Sequence, residues 1–194
     1  MIKQASINEI ICFFESTNKN VITFVGYSFS EYNDRRAMLE LAGQILDEFS
    51  PSSTIINIGA TISGIGAVYK IAKDKGYTTS GIVSTQAKKY HAKISPYVDF
   101  VFYVEDSTWG GFTEGSNQLS PTSAVMVEIS DVFVGIGGGE VSRDEMIAAN
   151  RSGKNVRFFP ADMNHQIARQ RAQKKSLPEP TDFRGKAGEA LNSY

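Results

Sequence analysis

Three consecutive glycines, Gly137, Gly138 and Gly139, close the apolar run "VFVGI" and lead into "EVSRDEMIAAN", which reads as a helix with Glu145 one turn inside it. Glycine reaches positive φ without strain and lets a ligand approach the main chain where a Cβ would block it. A helix beginning at that point adds unpaired N–H groups and the positive end of its dipole, a combination that suits a phosphate. Two further bends have the same character. Gly26-Tyr27-Ser28 ends the apolar run that starts at residue 20, with Gly26 and Ser28 as candidate ligand contacts. "GATISGIG" (59–66) follows "TIINI", and offers Gly59, Thr61, Gly64 and Gly66. Glu145 is the candidate functional carboxylate, whereas Glu140 and Asp144 are explained by the preference of acids for a helix N-terminus.

These bends need elements that bring them to one edge. Apolar runs at 20–28, 54–59, 78–84, 97–104, 132–136 and 155–160 read as buried strands. They alternate with helical spacing at 6–17, 34–49, 63–76, 87–96, 122–130 and 140–150. Ser6 and Asp34 stand where N-caps belong, and Gly76 and Pro96 where helices stop. Continuous apolar strands alternating with helices predict an α/β, doubly wound, Rossmann-like fold, with a mostly parallel sheet of about six strands and helices on both faces. In such sheets ligands collect outside the carboxyl ends of the strands, where all three glycine bends fall. The chain is expected to form one domain over 1–194, with a core at about 20–160 and a C-terminal helix and tail over 161–194. The polar stretch 105–121, which carries Trp109 and Phe112, is long enough to cover the same edge.

Composition narrows the chemistry. A net charge of -1 argues against a dedicated nucleic-acid binder. The single cysteine, Cys12, lies in the apolar run "IICFF" and reads as a core thiol. No run approaches a membrane span and no signal-peptide cleavage pattern follows the first residues, so a cytoplasmic protein without membrane association is expected. His91 and His165 lack metal-ligand spacing, and neither a metal nor a resident cofactor is expected. The dinucleotide fingerprint G-x-G-x-x-G is absent from the first bend, and no P-loop occurs.

Residues 20–160 resemble the SLOG superfamily, the Rossmann-like nucleotide-binding group that includes the LOG ("lonely guy") phosphoribohydrolases. The family's signature P-G-G-x-G-T-x-x-E falls on Gly137-Gly138-Gly139-Glu140-Val141-Ser142-Arg143-Asp144-Glu145, and its two earlier turns on Gly26-Tyr27-Ser28 and on 58–76. By that resemblance Gly138, Gly139 and the Ser142 hydroxyl hold a phosphate, Glu145 sits by the ribose and the glycosidic bond, and the protein forms a homodimer. The departures are Gly137 for proline, Val141 for glycine, Ser142 for threonine, and Thr122 where the LOG enzymes carry a catalytic arginine. Threonine lacks the forked, charged donor that a developing sugar cation would need close by. Arg35, Arg36 and Arg143 are the arginines that could reach in instead.

The resulting expectation is a protein that binds a nucleotide or nucleotide-derived ligand as a sensor or carrier, without LOG-type catalysis. The first alternative is an N-glycosidase that releases a base from a nucleoside 5'-monophosphate, with Glu145 positioning water. The second, nucleic-acid handling of the DprA type, is opposed by the charge balance.

Overall fold

The computed structural model describes residues 1–191; positions 192–194 of the expected tail lie outside the described residues. The strands are β1 (Ile2–Gln4), β2 (Asn20–Gly26), β3 (Thr54–Ile58), β4 (Thr78–Ser84), β5 (Phe100–Val104), β6 (Val132–Ile136) and β7 (Asn155–Phe159). They form one sheet in the order β1-β5-β4-β3-β2-β6-β7, and every pairing is parallel. The expected doubly wound α/β architecture is therefore present, with seven strands in place of about six. The additional strand is β1, whose three side chains are all exposed and whose only partner is β5. It is held by main-chain pairing and not by burial, which is why no apolar run announced it.

The helices are α1 (Ile7–Ser16), α2 (Arg35–Leu46), α3 (Val68–Asp74), α4 (Gln86–Lys89), α5 (Pro121–Glu128), α6 (Glu140–Arg151), α7 (His165–Lys174) and α8 (Gly185–Leu191). Ser6 caps α1 as expected and completes a capping box with Glu9, and the Asp34 carboxylate accepts from the Ala37 amide at 2.9 Å. Helix 63–76 divides into a 3-10 turn at Gly64–Ala67 followed by α3. Helix 87–96 shrinks to the single turn α4, because His91 takes a left-handed φ of 52°. Cys12 is exposed on the outer side of α1, against the expectation of a core thiol: Ile10 and Phe14 take the buried side.

Both faces of the sheet are covered. Ile10, Phe14, Val125, Met126 and Met146 of α1, α5 and α6 pack on one face, and Met38, Ile45, Leu46, Val68 and Tyr69 of α2 and α3 on the other. A buried side chain of this kind contributes about 1.5–3 kcal/mol relative to exposure. The connection from β5 through α5 returns to the far side of β2, so loops leave β2 and β6 in opposite directions and a crevice opens at their carboxyl ends.

One buried tyrosine fixes that edge. The Tyr69 hydroxyl lies 2.8 Å from the Ile58 carbonyl and 2.7 Å from that of Ser80, and it accepts from the Ala60 amide at 3.2 Å. Ala60 is itself left-handed, at φ 53°, and a Cβ on Gly81 would stand 2.6 Å from the Ala60 Cβ. Tyr69→Phe leaves the Ala60 N–H unpaired in the interior. Its expected cost is about 2 kcal/mol, read as a lowered urea midpoint with an unchanged slope.

Candidate functional site

A cavity of about 360 Å³ opens at the carboxyl edge, between the ends of β2, β3 and β4 and the first turns of α5 and α6. Its size is in the range of small-molecule sites. Of the residues singled out from sequence, Gly26, Ser28, Gly59, Thr61, Ser142 and Glu145 line it together. Trp109 reaches it from the long loop, so the loop does cover this edge.

The other glycines stand outside the lining. Gly64 has φ 56°, and a Cβ there would meet the Tyr27 carbonyl at 2.0 Å; a Cβ on Gly66 would meet the Thr61 carbonyl at the same distance. Both let the second bend press on neighbouring backbone. Gly137, at φ 55°, abuts Tyr27 and the Ala161 carbonyl. Gly138, at φ 126°, lies against Ser142, and its carbonyl accepts from the Ala187 amide of α8 at 3.2 Å. Gly139 has open space where its Cβ would be and serves as the N-cap of α6, without a side-chain cap. The ends of two bends thus face the cavity, whereas the triple glycine contributes through the helix it starts.

Glu145 is the least exposed carboxyl among the described residues. It is 3% exposed, and its Oε1 accepts from the Ser123 hydroxyl at 2.6 Å, which in turn accepts from the Gly111 amide at 2.7 Å. Burial pushes its carboxyl up to about 7, Asp144 adds to the rise, and the Ser123 bond opposes it. Near neutral pH it therefore exchanges between acid and carboxylate. Asp144 points away to accept from the Phe112 amide at 2.9 Å and pairs with Arg143 at 2.7 Å. Two acids of α6 thus pin the loop that carries Trp109.

The loop is also tied to α5. Asp106 accepts from the amides of Thr122 and Thr108, at 2.9 and 2.8 Å. Burial alone would raise its pKa, but these donors outweigh it and hold the carboxyl below its ordinary value. The Thr122 hydroxyl contributes to that environment, yet it makes no hydrogen bond of good geometry. The Ser142 hydroxyl donates to the Gly26 carbonyl at 3.1 Å and so joins α6 to β2.

No arginine lines the cavity among the described residues. Arg36 pairs with Glu40 on the surface of α2, Arg35 faces a separate depression beside Leu39 and Ile71, and Arg143 is held by Asp144. The one cation of the lining is Lys93, exposed at the mouth, which sequence reasoning missed because nothing in "HAKIS" marks it. Phe29 (63% exposed) and Trp109 (49%) also line the cavity at its mouth, where Tyr90 stacks on Trp109 with ring centroids 5.8 Å apart. Among the described residues no group of three or more His, Cys, Asp and Glu could hold a metal ion, and no helix is long and apolar enough to cross a membrane.

No family model matches the chain, and no curated protein matches it in sequence. Solved structures do match. The molybdenum cofactor binding protein of the phototrophic bacterium Rippkaea orientalis is similar with a TM-score of 0.54 at 19% identity, over 81% of this chain and 85% of that one. The Moco carrier protein of Chlamydomonas reinhardtii gives 0.53 at 19% identity, with the same shares covered. A protein designated TM1055 gives 0.51 at 22% identity, over 71% of this chain and 72% of that one. What they share with this chain is the fold. The likeness extends to the Rossmann-like α/β architecture expected from the sequence and not to a ligand.

Proposed function

We propose that this protein is a carrier or sensor that holds a small phosphate-bearing heterocycle, of nucleotide type, in the cavity at its carboxyl edge and does not cleave it. The observation that carries this reading is the cavity's composition. It has apolar walls, one deep carboxyl, one cation at the rim and no arginine among the described residues. Cleaving an N-glycosidic bond demands charge stabilisation as the sugar becomes cation-like. Thr122 lines the cavity where a LOG enzyme would supply it, and threonine has no charge to give. Binding needs less: the first turn of α6 and Lys93 suit an anion, and the aromatic rim suits a flat ring. Folding neighbours named for carrying or binding the molybdenum cofactor favour the same reading.

The test is a thermal-shift panel of nucleoside monophosphates and phosphorylated pterins, with chromatography of the same incubations for free base. Stabilisation of about 2.7 kcal/mol at a hundredfold excess over Kd, without base release, is the expected result. Lys93→Ala should weaken binding about tenfold, consistent with loss of one charge-assisted contact. Release of free base, abolished by Glu145→Gln, would overturn the proposal in favour of an N-glycosidase.

A further inference from the structure

The chemistry around Glu145 narrows the ligand beyond this reading, and the argument rests on it. Only one of the two carboxyl oxygens is occupied. Oε1 accepts from Ser123, and Oε2 has no hydrogen bond among the described residues, although Glu145 lines the cavity. A carboxylate has about four lone-pair sites, so Oε1 can accept once more and Oε2 is fully available. The lining combines the apolar side chains of Phe24, Ile58, Ile82, Val83 and Met126 with a few hydroxyls, of which those of Ser84 and Ser142 are spent on backbone carbonyls. Ser123 is the one side chain that donates to Glu145 among the described residues. A buried carboxylate in such surroundings gains most from a ligand that brings two parallel N–H groups.

Two parts of a nucleotide-type ligand could supply a donor pair: the sugar diol and the ring edge. Depth favours the ring. The apolar walls lie inside with Glu145, while Lys93 is exposed at the mouth, so the flat heterocycle enters and the anionic end stays outside. Phe29 and Trp109 flank that entrance. Ring edges differ in what they present to a carboxylate. Adenine and cytosine pair an amino group with an acceptor nitrogen, which repels a carboxylate oxygen. Uracil has one N–H between two carbonyls, and hypoxanthine has an N–H without a neighbouring amino group. A 2-amino-4-oxo-pyrimidine ring has N–H and NH2 side by side.

We propose that Glu145 reads the 2-amino-4-oxo-pyrimidine edge, shared by guanine and pterin rings, of a ligand whose phosphate remains at the Lys93 end of the cavity. Glu145 is then the residue that sets ring specificity, and Ser123 positions its carboxyl.

The experiment measures Kd by quenching of Trp109, the single tryptophan, with GMP, IMP, AMP, dGMP and a phosphorylated hydroxymethylpterin. IMP differs from GMP only by the missing 2-amino group. GMP, the pterin or both should bind about tenfold or more tightly than IMP and AMP, the loss expected when a charge-assisted bond to a buried carboxylate cannot form. Which of the two binds more tightly identifies the source of the ring. Glu145→Gln should collapse the GMP-to-IMP ratio, because a glutamine amide has one acceptor oxygen and its NH2 cannot accept the second N–H of guanine. Equal binding of GMP and IMP would overturn the edge reading and leave the carrier proposal standing; equal binding combined with loss of dGMP would move Glu145 to the ribose. Absence of binding by every compound would overturn the carrier proposal itself.

Discussion

Glu145→Gln is expected to make the protein more stable at pH 8, by about 3 kcal/mol, and to leave stability near pH 4 almost unchanged. The carboxyl is raised from 4.5 to about 7, first by burial and then by the neighbouring Asp144. Between those two values the folded chain holds a proton that the unfolded chain has released. Wild-type stability is therefore full below pH 4.5, falls as pH rises through the window, and levels off above about pH 7. Glutamine is neutral throughout, keeps nearly the same volume, and can still accept from Ser123. Urea unfolding at half-unit steps from pH 4 to 8 measures the effect. A mutant with the same slope as wild type would mean that Glu145 is solvated and ionised in the fold.

Gly64→Ala is expected to act in the opposite direction, costing about 3–5 kcal/mol and lowering Tm by more than about 10 °C. At φ 56° an alanine Cβ would stand 2.0 Å from the Tyr27 carbonyl and 2.6 Å from that of Ser28. Both obstacles are main chain, and the first bend is tied there by a 2.7 Å bond from the Ile65 amide to the Tyr27 carbonyl. Relief would require the two bends to part, which would also distort the cavity wall at Ser28 and Ile65. Gly43→Ala is the internal control. It lies within α2 with nothing near its Cβ position, and it should gain up to about 1 kcal/mol. Differential scanning calorimetry of the pair would reveal whether the penalty belongs to the position or to the loss of glycine in general.

Gly64 illustrates what was legible in the sequence. The type of residue marked the bends, and periodicity placed them at strand ends; both readings hold, since β2, β3 and β6 end at the same edge. What glycine is for at each position was not legible. Gly59 lines the cavity with no close neighbour at its Cβ position, whereas Gly64, Gly66, Gly137 and Gly138 make room for neighbouring protein atoms, as does Gly26 for the Tyr32 hydroxyl although it too lines the cavity. A missing Cβ looks the same in sequence whether a ligand or a carbonyl takes its place. Glu145 was legible as a carboxylate one turn into a helix, but its burial depends on Ser123 and the 105–120 loop, which only tertiary packing brings to it. Lys93 follows a turn of four helical residues that ends early, so no periodic signal placed it at the mouth. α8 escaped notice because its short run, "GKAGEAL", buries only Ala187 and Gly188.

Helix α8 and the residues before it brace two of the glycine bends. The Tyr27 hydroxyl bonds to the carbonyls of Ala161 and Arg184, and Ala187 closes on Gly138. The bends at 26–28 and 137–139 therefore take their described geometry only when residues 161–187, more than twenty positions beyond the triple glycine, have folded back on them.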